Sequence, residues 1–172
     1  MNAALAQQVA SIRTCFGRIF VSWSGMDLAS VSLSDFSPAP SSPGFESGDV
    51  PPEGYKVVKD LILYFRGEPV SFRLPRLCGL SDFQRKVLEM VWHIPFGATF
   101  TYGQVAEFIG VPQGARAVGT AVGKNPFPII IPCHRVVASG GKLGGYGAGT
   151  AWKRALLEME GELLGEAVSW RS

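Results

Sequence analysis

Cysteine and histidine are both scarce in this chain of 172 residues. The three cysteines, Cys15, Cys78 and Cys133, are an odd number at wide, unmatched spacing, which argues against a disulfide framework. The two histidines, His93 and His134, stand at no spacing typical of a structural zinc site. We therefore expect no bound metal and free thiols, as in a reducing compartment.

Long apolar runs are missing as well. Gln7, Gln8, Arg13 and Arg18 interrupt the N-terminal region, so it does not resemble a secretory leader. No stretch approaches the length of a membrane span. Hydrophobic residues make up 47% and charged residues 17%, which is typical of a folded globular domain. We expect a cytoplasmic protein that does not contact a membrane.

Net charge is small, but its distribution is uneven. A value of +2 does not by itself indicate a protein that binds polyanions. Between residues 81 and 150, however, the basic residues outnumber the acidic ones. The former are Arg85, Lys86, Arg116, Lys124, Arg135 and Lys142, and the latter are Asp82, Glu89 and Glu107. A locally basic second half favours a phosphate-bearing partner.

Residues 1–78 have the pattern of a small α/β domain. A three-stranded antiparallel meander is predicted from segments rich in β-branched and aromatic residues, which are Val9–Thr14, Arg18–Ser24 and Leu28–Leu33. Residues 34–54 are rich in proline and serine, and this composition predicts a long surface loop or a partly disordered segment. A helix over Tyr55–Phe65 and a short strand over Val70–Leu74 follow. No chemistry is indicated in this half, where Cys15 and Cys78 are most simply structural.

Residues 79–172 begin with a strong helix signal. Ser81 and Gln84 form a capping box, and the helix that they begin ends before Pro95. Thr101 and Gln104 form a second capping box. We predict further helices at Tyr102–Ile109, Gln113–Val122 and, capped by Thr150, Ala151–Met159.

The helices at Tyr102–Ile109 and Gln113–Val122 are joined by a tight turn with Gly110, a spacing that fits a helix-turn-helix and an ordinary helical hairpin equally well. The second of them is thin, with Arg116 as its one long cation. Side chains that read bases are usually several per helix, so this helix cannot read a sequence. It could approach DNA in a narrow groove with Arg116 as a wedge. Alternatively, the small residues serve helix packing and Arg116 extends into solvent.

The most distinctive stretch runs from Ile129 to Val137. Three isoleucines and two valines predict buried strand on both sides of a polar gap. Pro132 must stop or kink that strand, since it cannot donate a ladder hydrogen bond. Cys133, His134 and Arg135 then place a thiol, an imidazole and a guanidinium side by side. Because neighbouring strand residues point to opposite faces, a direct bond between Cys133 and His134 is not expected, and proton transfer requires a water relay or a backbone turn after Pro132. Of these two, we expect the water relay.

Two further segments flank this stretch. Residues 124–128 contain two prolines and Asn125, and they form a stiff link between the thin helix and the thiol. Residues 139–149 are dense in glycine but match no phosphate-binding motif. Their glycines favour close approach of the backbone to a flat ligand.

The combination of these motifs resembles the O6-alkylguanine–DNA alkyltransferases. It consists of Tyr102-Gly103, Arg-Ala-Val-Gly at 116–119, Asn125-Pro126 and Pro-Cys-His-Arg-Val at 132–136. The resemblance is dense from Phe83 to Gly161 and thin before that. It implies an RNase H-like N-terminal α/β domain, followed by a mostly helical winged helix-turn-helix-like domain that carries the cysteine.

The resemblance also implies a reaction without cofactors. Cys133 accepts the alkyl group from guanine O6 once, because a thioether is not released again. His134 deprotonates Cys133 through water, and Glu160 orients His134. Asn125 braces the turn that joins the DNA-binding helix to the cysteine. Tyr102 helps to rotate the nucleotide out of the stack and assists the departing guanine.

The implied partner is double-stranded DNA containing O6-alkylguanine, with O4-alkylthymine as a second candidate lesion. A monomer binds it through the minor groove without sequence specificity, in the nucleoid if the source is a prokaryote. The residues implied in DNA contact are Gly114, Ala115, Arg116, Gly119 and Ser139. Those implied around the alkylated guanine are Tyr102, Val136, Tyr146 and Gly147. Gly147 departs from the family pattern, in which many members carry a serine there.

Two alternatives come from other functional classes. A cysteine hydrolase could use Cys133 and His134, but such enzymes usually bring these residues from distant parts of the chain. A non-catalytic protein could sense alkylated bases or regulate transcription. The presence of Cys133 and the lack of base-reading side chains near Arg116 argue against it.

Overall fold

The computed structural model describes residues 7–68 and 70–165, which fall into two compact units, Met1–Arg76 and Leu77–Ser172. The domain boundary predicted after residue 78 lies two residues further along the chain than this division. In the described part of the first unit the elements are β1 (Gln7–Arg13), β2 (Arg18–Ser24), β3 (Asp27–Leu33), β4 (Gly44–Gly48) and α1 (Gly54–Phe65). In that of the second unit they are α2 (Asp82–Trp92), β5 (Phe100–Thr101), α3 (Tyr102–Phe108), α4 (Ala115–Gly123), β6 (Val136–Val137) and α5 (Thr150–Leu163).

The first unit is an antiparallel sheet in the order β3-β2-β1-β4. Its buried face is built by alternate residues such as Ile12, Ile19 and Val21, as the period of two requires. Helix α1 buries Val58, Leu61, Tyr64 and Phe65. At Gly54 the helix approaches the indole of Trp23 so closely that a Cβ would lie 2.8 Å from it. The predicted α/β fold class and the three-stranded meander are confirmed.

The sheet has a fourth strand where we predicted part of a loop. Strand β4 lies within residues 34–54 and pairs with β1 at the edge of the sheet. Glycines at both of its ends and prolines around it made this segment look like a loop in the sequence. An edge strand tolerates both residue types. Glu46 of β4 accepts a hydrogen bond from Ser11 at 3.0 Å and pairs with Arg18 at 2.7 Å. Side-chain pairing therefore compensates for its weak β-propensity.

The predicted strand at Val70–Leu74 is wrong. Its side chains alternate between half-buried and exposed, but the segment forms no ladder in the described part of the chain. Phe72 instead packs against Tyr64, with ring centroids 6.2 Å apart. The alternation indicates an extended backbone with one half-buried side and one exposed side. An extended segment of this kind does not have to be hydrogen-bonded to a neighbouring strand.

The second unit is built from helices around a small apolar core. Both predicted capping boxes are present: Ser81 accepts from the backbone N–H of Gln84, and Thr101 accepts from that of Gln104. Helices α3 and α4 are the predicted pair at 102–109 and 113–122. The core includes Val87 and Leu88 of α2 and, from the later helices, Val105, Val118, Trp152 and Leu156.

The two-residue strands β5 and β6 pair in parallel, with Phe100 opposite Val136 and Thr101 opposite Val137. This pairing brings the start of α3 next to the segment that follows the cysteine. Within residues 7–68 and 70–165, no helix is both long enough and apolar enough to cross a membrane.

Candidate active site

Cys133 lies in a tight turn and not at the end of a strand. Ile129, Ile130 and Ile131 are buried as predicted, but the predicted strand there is wrong. Prolines at 126, 128 and 132 remove ladder donors, and Ile129 turns the chain with φ of 74°. After Pro132, residues Cys133–Arg135 form one 3₁₀ turn.

Asn125 holds this turn from the other side. Its Nδ2 donates to the carbonyl of Ile131 at 2.9 Å, and its Oδ1 accepts from the N–H of Phe127 at 3.0 Å. The same Ile131 carbonyl accepts from the N–H of Cys133 at 2.7 Å. One side chain therefore ties the end of α4 to the residue two positions before the cysteine.

The Cys133 thiol is almost completely buried, with 5% of the residue exposed. Burial raises the pKa of the thiol, while hydrogen bonds from Asn125 and Tyr146 and the charge of Lys153 lower that pKa in part. Burial dominates, so the thiol holds its proton at rest. A base that removes this proton is required before sulfur can act as a strong nucleophile.

His134 and Glu160 are in direct contact. His134 Nε2 and Glu160 Oε1 lie 3.0 Å apart, and both residues are fully buried. Burial raises the pKa of Glu160, but its electrostatic interactions and hydrogen bonds with His134 and Arg135 outweigh that effect and hold the pKa well below its usual range. Burial lowers the pKa of His134, against the opposing effect of Glu160. An ionised carboxylate only accepts, so a neutral His134 carries its proton on Nε2, and Nδ1 is the basic nitrogen.

Arg135, the guanidinium that follows Cys133 and His134 in the sequence, binds Glu160. Its Nε and Nη2 donate to the two carboxylate oxygens at 3.0 and 2.8 Å. Its Nη1 donates to the carbonyl of Ile94 at 2.7 Å, and the N–H of Gly97 donates to Glu160 Oε2 at 3.0 Å. Glu160 therefore fastens the segment after α2 and the cysteine turn to α5. The predicted end of the last helix at Met159 is wrong, since α5 continues through Glu160 to Leu163. Gly149, and not Thr150, is its N-cap.

Tyr102 begins α3 and lies between α4 and the glycine-rich segment. Its hydroxyl donates to the carbonyl of Gly145 at 3.4 Å. A Cβ at Gly119 would be 3.7 Å from its ring, and one at Gly144 would be 3.1 Å away. Burial raises the pKa of the Tyr102 hydroxyl, and the charge of Cys133 adds to that effect, so the hydroxyl keeps its proton.

The predicted DNA-contact residues lie on α4 and beyond it. Gly114 is the N-cap of α4, and Ala115 and Gly119 are half-buried in the helix. Arg116 is exposed, as is Ser139 in a 3₁₀ turn after β6.

Two of the predicted guanine-binding residues, Val136 and Tyr146, interact with Cys133. The buried Val136 donates its N–H to the Cys133 carbonyl, and the Tyr146 hydroxyl helps to lower the pKa of the thiol. Gly147 is exposed. No group of three His, Cys, Asp or Glu side chains within residues 7–68 and 70–165 is arranged to hold a metal ion.

Lys153 is the functional candidate that the sequence analysis missed. It is fully buried on α5, and its Nζ donates to the carbonyls of Val136 at 2.7 Å and Gly145 at 3.2 Å. A signal was available, because Lys153 precedes Glu160 by seven residues and shares its helix face with Leu156 and Leu157. The contact of Glu160 with Gly97 left no such signal, because it depends on how separate segments pack.

Comparisons with known proteins show which family the chain resembles. A family model for the DNA-binding domain of 6-O-methylguanine DNA methyltransferase matches residues 82–162. The methylated-DNA–protein-cysteine methyltransferase of Mycobacterium tuberculosis is 50% identical over 103 residues, which is 60% of this chain and 62% of that relative. A crystal structure of Mycobacterium tuberculosis OGT in complex with DNA superimposes with a TM-score of 0.75 at 37% identity, over 90% of this chain and 93% of that one.

A longer match comes from the methylated-DNA–protein-cysteine methyltransferase of Mycobacterium leprae, which is 39% identical over 153 residues. This match covers 87% of the chain and 90% of the relative, so it includes both compact units. The chain belongs to the methylated-DNA–protein-cysteine methyltransferase family.

Proposed function

We propose that the protein repairs alkylated DNA by moving an alkyl group from guanine O6 to Cys133, once per molecule. The observation that carries this proposal is the buried thiol of Cys133 next to a neutral, buried His134 that an ionised Glu160 holds in place. A thiol in this setting needs a base, and the adjacent imidazole has a basic nitrogen. The family model for the DNA-binding domain matches residues 82–162, and this stretch contains all of these residues.

The reaction is a single displacement at carbon. The thiol proton passes through a water to Nδ1 of His134, and the thiolate attacks the alkyl carbon. The sulfur–carbon bond forms while the carbon–O6 bond breaks, and the electron pair of that bond stays on guanine. The departing base takes a proton from the Tyr102 hydroxyl, which solvent replaces. The thioether has no leaving group at neutral pH, so the protein acts stoichiometrically.

The substrate enters as a nucleotide rotated out of the duplex, since O6 cannot be reached inside the base stack. Exposed Arg116 on α4 fills the gap, with Gly114, Ala115, Gly119 and Ser139 close to the backbone of the minor groove. This surface has few side chains that could read base edges, which suits a protein that finds lesions in any sequence. A monomer working inside the cell, where DNA is found, is sufficient for this chemistry.

The flipped base lies beside the cysteine turn, near Val136, Tyr146 and Gly147. The carbonyls of Cys133 and Val136 each already accept one hydrogen bond, from the Val136 N–H and from Lys153. Each keeps a second lone pair for the exocyclic amine of guanine. Backbone N–H groups near Tyr146 and Gly147 are the donors proposed for O6.

The test uses duplex DNA that carries one O6-methylguanine with a labelled methyl group. We expect about one methyl per protein on the Cys133 peptide and none in Cys133→Ala, because a single nucleophile accepts the group. Cys78→Ala is the matched control, since Cys78 is also a free thiol but is exposed. Many turnovers per protein would indicate a hydrolase, and lesion binding without transfer would indicate a sensor. Either result would overturn the proposal.

A further inference from the structure

Lys153 is a buried cation that the reaction as described above does not use. Within residues 7–68 and 70–165 it is the one lysine classed as buried, with an exposed fraction of 0%. Its Nζ bonds to two neutral carbonyls and lies 5.8 Å from the centre of the Tyr102 ring. No carboxylate in the described part of the chain is within ion-pair distance of it. A buried charge is costly without a partner of opposite sign, so Lys153 needs an explanation.

The two carbonyls that hold Lys153 belong to segments on either side of Cys133. Val136 donates its own N–H to the Cys133 carbonyl, so the residue that closes the cysteine turn also binds the ammonium. Gly145 directly precedes Tyr146, whose hydroxyl helps to lower the pKa of the thiol. The ammonium is therefore anchored to the structure that surrounds the sulfur.

The titratable groups around this anchor leave one source of negative charge. His134 is either neutral or positively charged, so it supplies no negative charge. The pKa of Tyr102 is raised, so its hydroxyl stays neutral. Tyr146 acts on the sulfur by helping to lower the pKa of the thiol. Glu160 is already held by hydrogen bonds from Nε and Nη2 of Arg135. Cys133 is the group that must become an anion during the reaction.

We propose that Lys153 is the counter-cation of the Cys133 thiolate, so that its ammonium balances the charge that appears on sulfur when the proton leaves. This inference rests on the proposed function, in which His134 takes the proton. His134 thus supplies the route for the proton, and Lys153 makes the remaining anion less costly in a buried site. Lys153 acts through Cys133 and is a positioning residue.

The proposal has a consequence for the reacted protein. Burial lowers the pKa of Lys153 to about 8, and the charge of Cys133 opposes that shift. The interaction is mutual, since the charge of Lys153 lowers the pKa of Cys133. Once sulfur carries an alkyl group it is a neutral thioether and cannot become an anion. The contribution of Cys133 to the pKa of Lys153 is then absent, so we expect that pKa to be lower in the reacted protein.

The first test measures the reactivity of Cys133 without DNA. The rate of alkylation by iodoacetamide is followed against pH by mass spectrometry of the Cys133 peptide. In Lys153→Met we expect the pH profile to move upward by one unit or more, so that the rate at pH 7.5 falls about tenfold. Lys142→Met is the control, because Lys142 is exposed in the same unit and its profile should match that of the native protein.

The second test uses the native chain and does not depend on whether a variant folds. The side-chain amine of Lys153 is titrated by NMR with isotope-labelled lysine, before and after Cys133 is capped as a neutral mixed disulfide with methyl methanethiosulfonate. We expect the pKa of Lys153 to be lower after capping. An unchanged pKa of Lys153 would overturn the proposal. The proposal would also be overturned if Lys153→Met slowed the reaction of Cys133 with iodoacetamide without shifting its pH profile. That result would mean that Lys153 only holds the two carbonyls in place.

These outcomes are separate from those of the repair assay. If methyl transfer from DNA fails while the Lys153 measurements succeed, the proposed function is wrong and the ion pair stands. If methyl transfer succeeds while the Lys153 measurements show no coupling, the counter-cation role alone is wrong.

Discussion

Glu160 connects more of the site than any other residue in the described part of the chain. Its carboxylate accepts from His134, Arg135 and the N–H of Gly97. Because Arg135 neutralises the carboxylate, His134 does not have to carry a positive charge to balance it. Breaking a buried pair of this kind costs about 3–5 kcal/mol, since it leaves one charge without a partner. Variants of Glu160 or Arg135 are therefore expected to affect folding as well as activity, and they are poor probes of mechanism.

His134 offers a cleaner probe through the pH dependence of stability. The pKa of His134 is lowered in the fold, chiefly by burial, so below its ordinary value of about 6.5 the unfolded chain binds a proton that the folded chain does not. The stabilising contribution is complete above that pH and is lost as the pH falls through it. In His134→Gln, which can still donate to Glu160 but does not titrate, we expect the stability lost between pH 7.5 and 5.5 to be smaller by about 1 kcal/mol.

Urea denaturation of both proteins at both pH values measures this difference. Glu160 does not interfere, because its pKa is held well below its usual range and its own effect on stability appears only at more acidic pH. Equal losses in the two proteins would show that His134 is not held neutral by the fold.

At the residue scale, the sequence predicted the side chains whose proposed roles depend on residues close to them in the chain. Cys133, His134 and Asn125 stand within nine positions of one another, and a reactive thiol needs such neighbours wherever it folds. Lys153 could have been found from the period of α5, because a lysine on an apolar helix face is unusual. The bond between Glu160 and Gly97 joins residues 63 positions apart, and no local pattern encodes it.

At the scale of elements, the turn between α4 and β6 is the most constrained part of the site. Ile129 is the one non-glycine residue with positive φ among the described residues, and it is β-branched, which makes that conformation costly. The side chain is buried, and the bonds of Asn125 close the turn around it. The fold accepts strain here and thereby fixes the position of Cys133 four residues later.

Substitution of Ile129 by alanine and by glycine tests this strain. Both changes remove the same buried side chain, and at an ordinary buried position glycine is less stable than alanine by about 0.5–1 kcal/mol. At φ of 74° we expect the opposite order, with Ile129→Gly more stable than Ile129→Ala by about 1 kcal/mol. Chemical denaturation of the two variants gives the comparison.

Ile131 supplies the matched control, because it is equally buried and has no positive φ. There the alanine variant should be the more stable one. If alanine is also preferred at Ile129, the turn is not strained in solution.

The elements themselves were predictable where a local signal begins or ends them. The capping boxes at Ser81 and Thr101 fix the starts of α2 and α3, because each satisfies backbone donors within three residues. The isoleucine run indicated burial but not strand, since a short apolar run does not specify backbone conformation. Strand β4 was not predicted, because its stability comes from pairing with β1, which is distant in sequence.

At the scale of the whole molecule, all of the candidate chemistry lies in the second unit. The cysteine turn, α4 and α5 belong to residues 77–172, and the sheet of the first unit contains none of the predicted site residues. In the second unit, Tyr102 lies against Gly119 of the helix that carries Arg116, and its hydroxyl reaches Gly145. The proposed DNA surface and the proposed reaction site are therefore parts of one packed structure.

The proposed role of Arg116 in binding, as distinct from the chemical step at Cys133, can be tested with Arg116→Ala. If Arg116 fills the space left by a rotated nucleotide, its loss should lower the population of extruded base, and repair of duplex O6-methylguanine should slow by about tenfold or more. Reaction with free O6-alkylguanine requires no extrusion and should keep its native rate. Arg85→Ala is the control for loss of one positive charge, since Arg85 is exposed on α2 and pairs with Asp82. Equal slowing of Arg116→Ala with duplex DNA and with the free base would place Arg116 in the chemical step. If Arg85→Ala slowed duplex repair as much as Arg116→Ala does, Arg116 would contribute only a general attraction for phosphate.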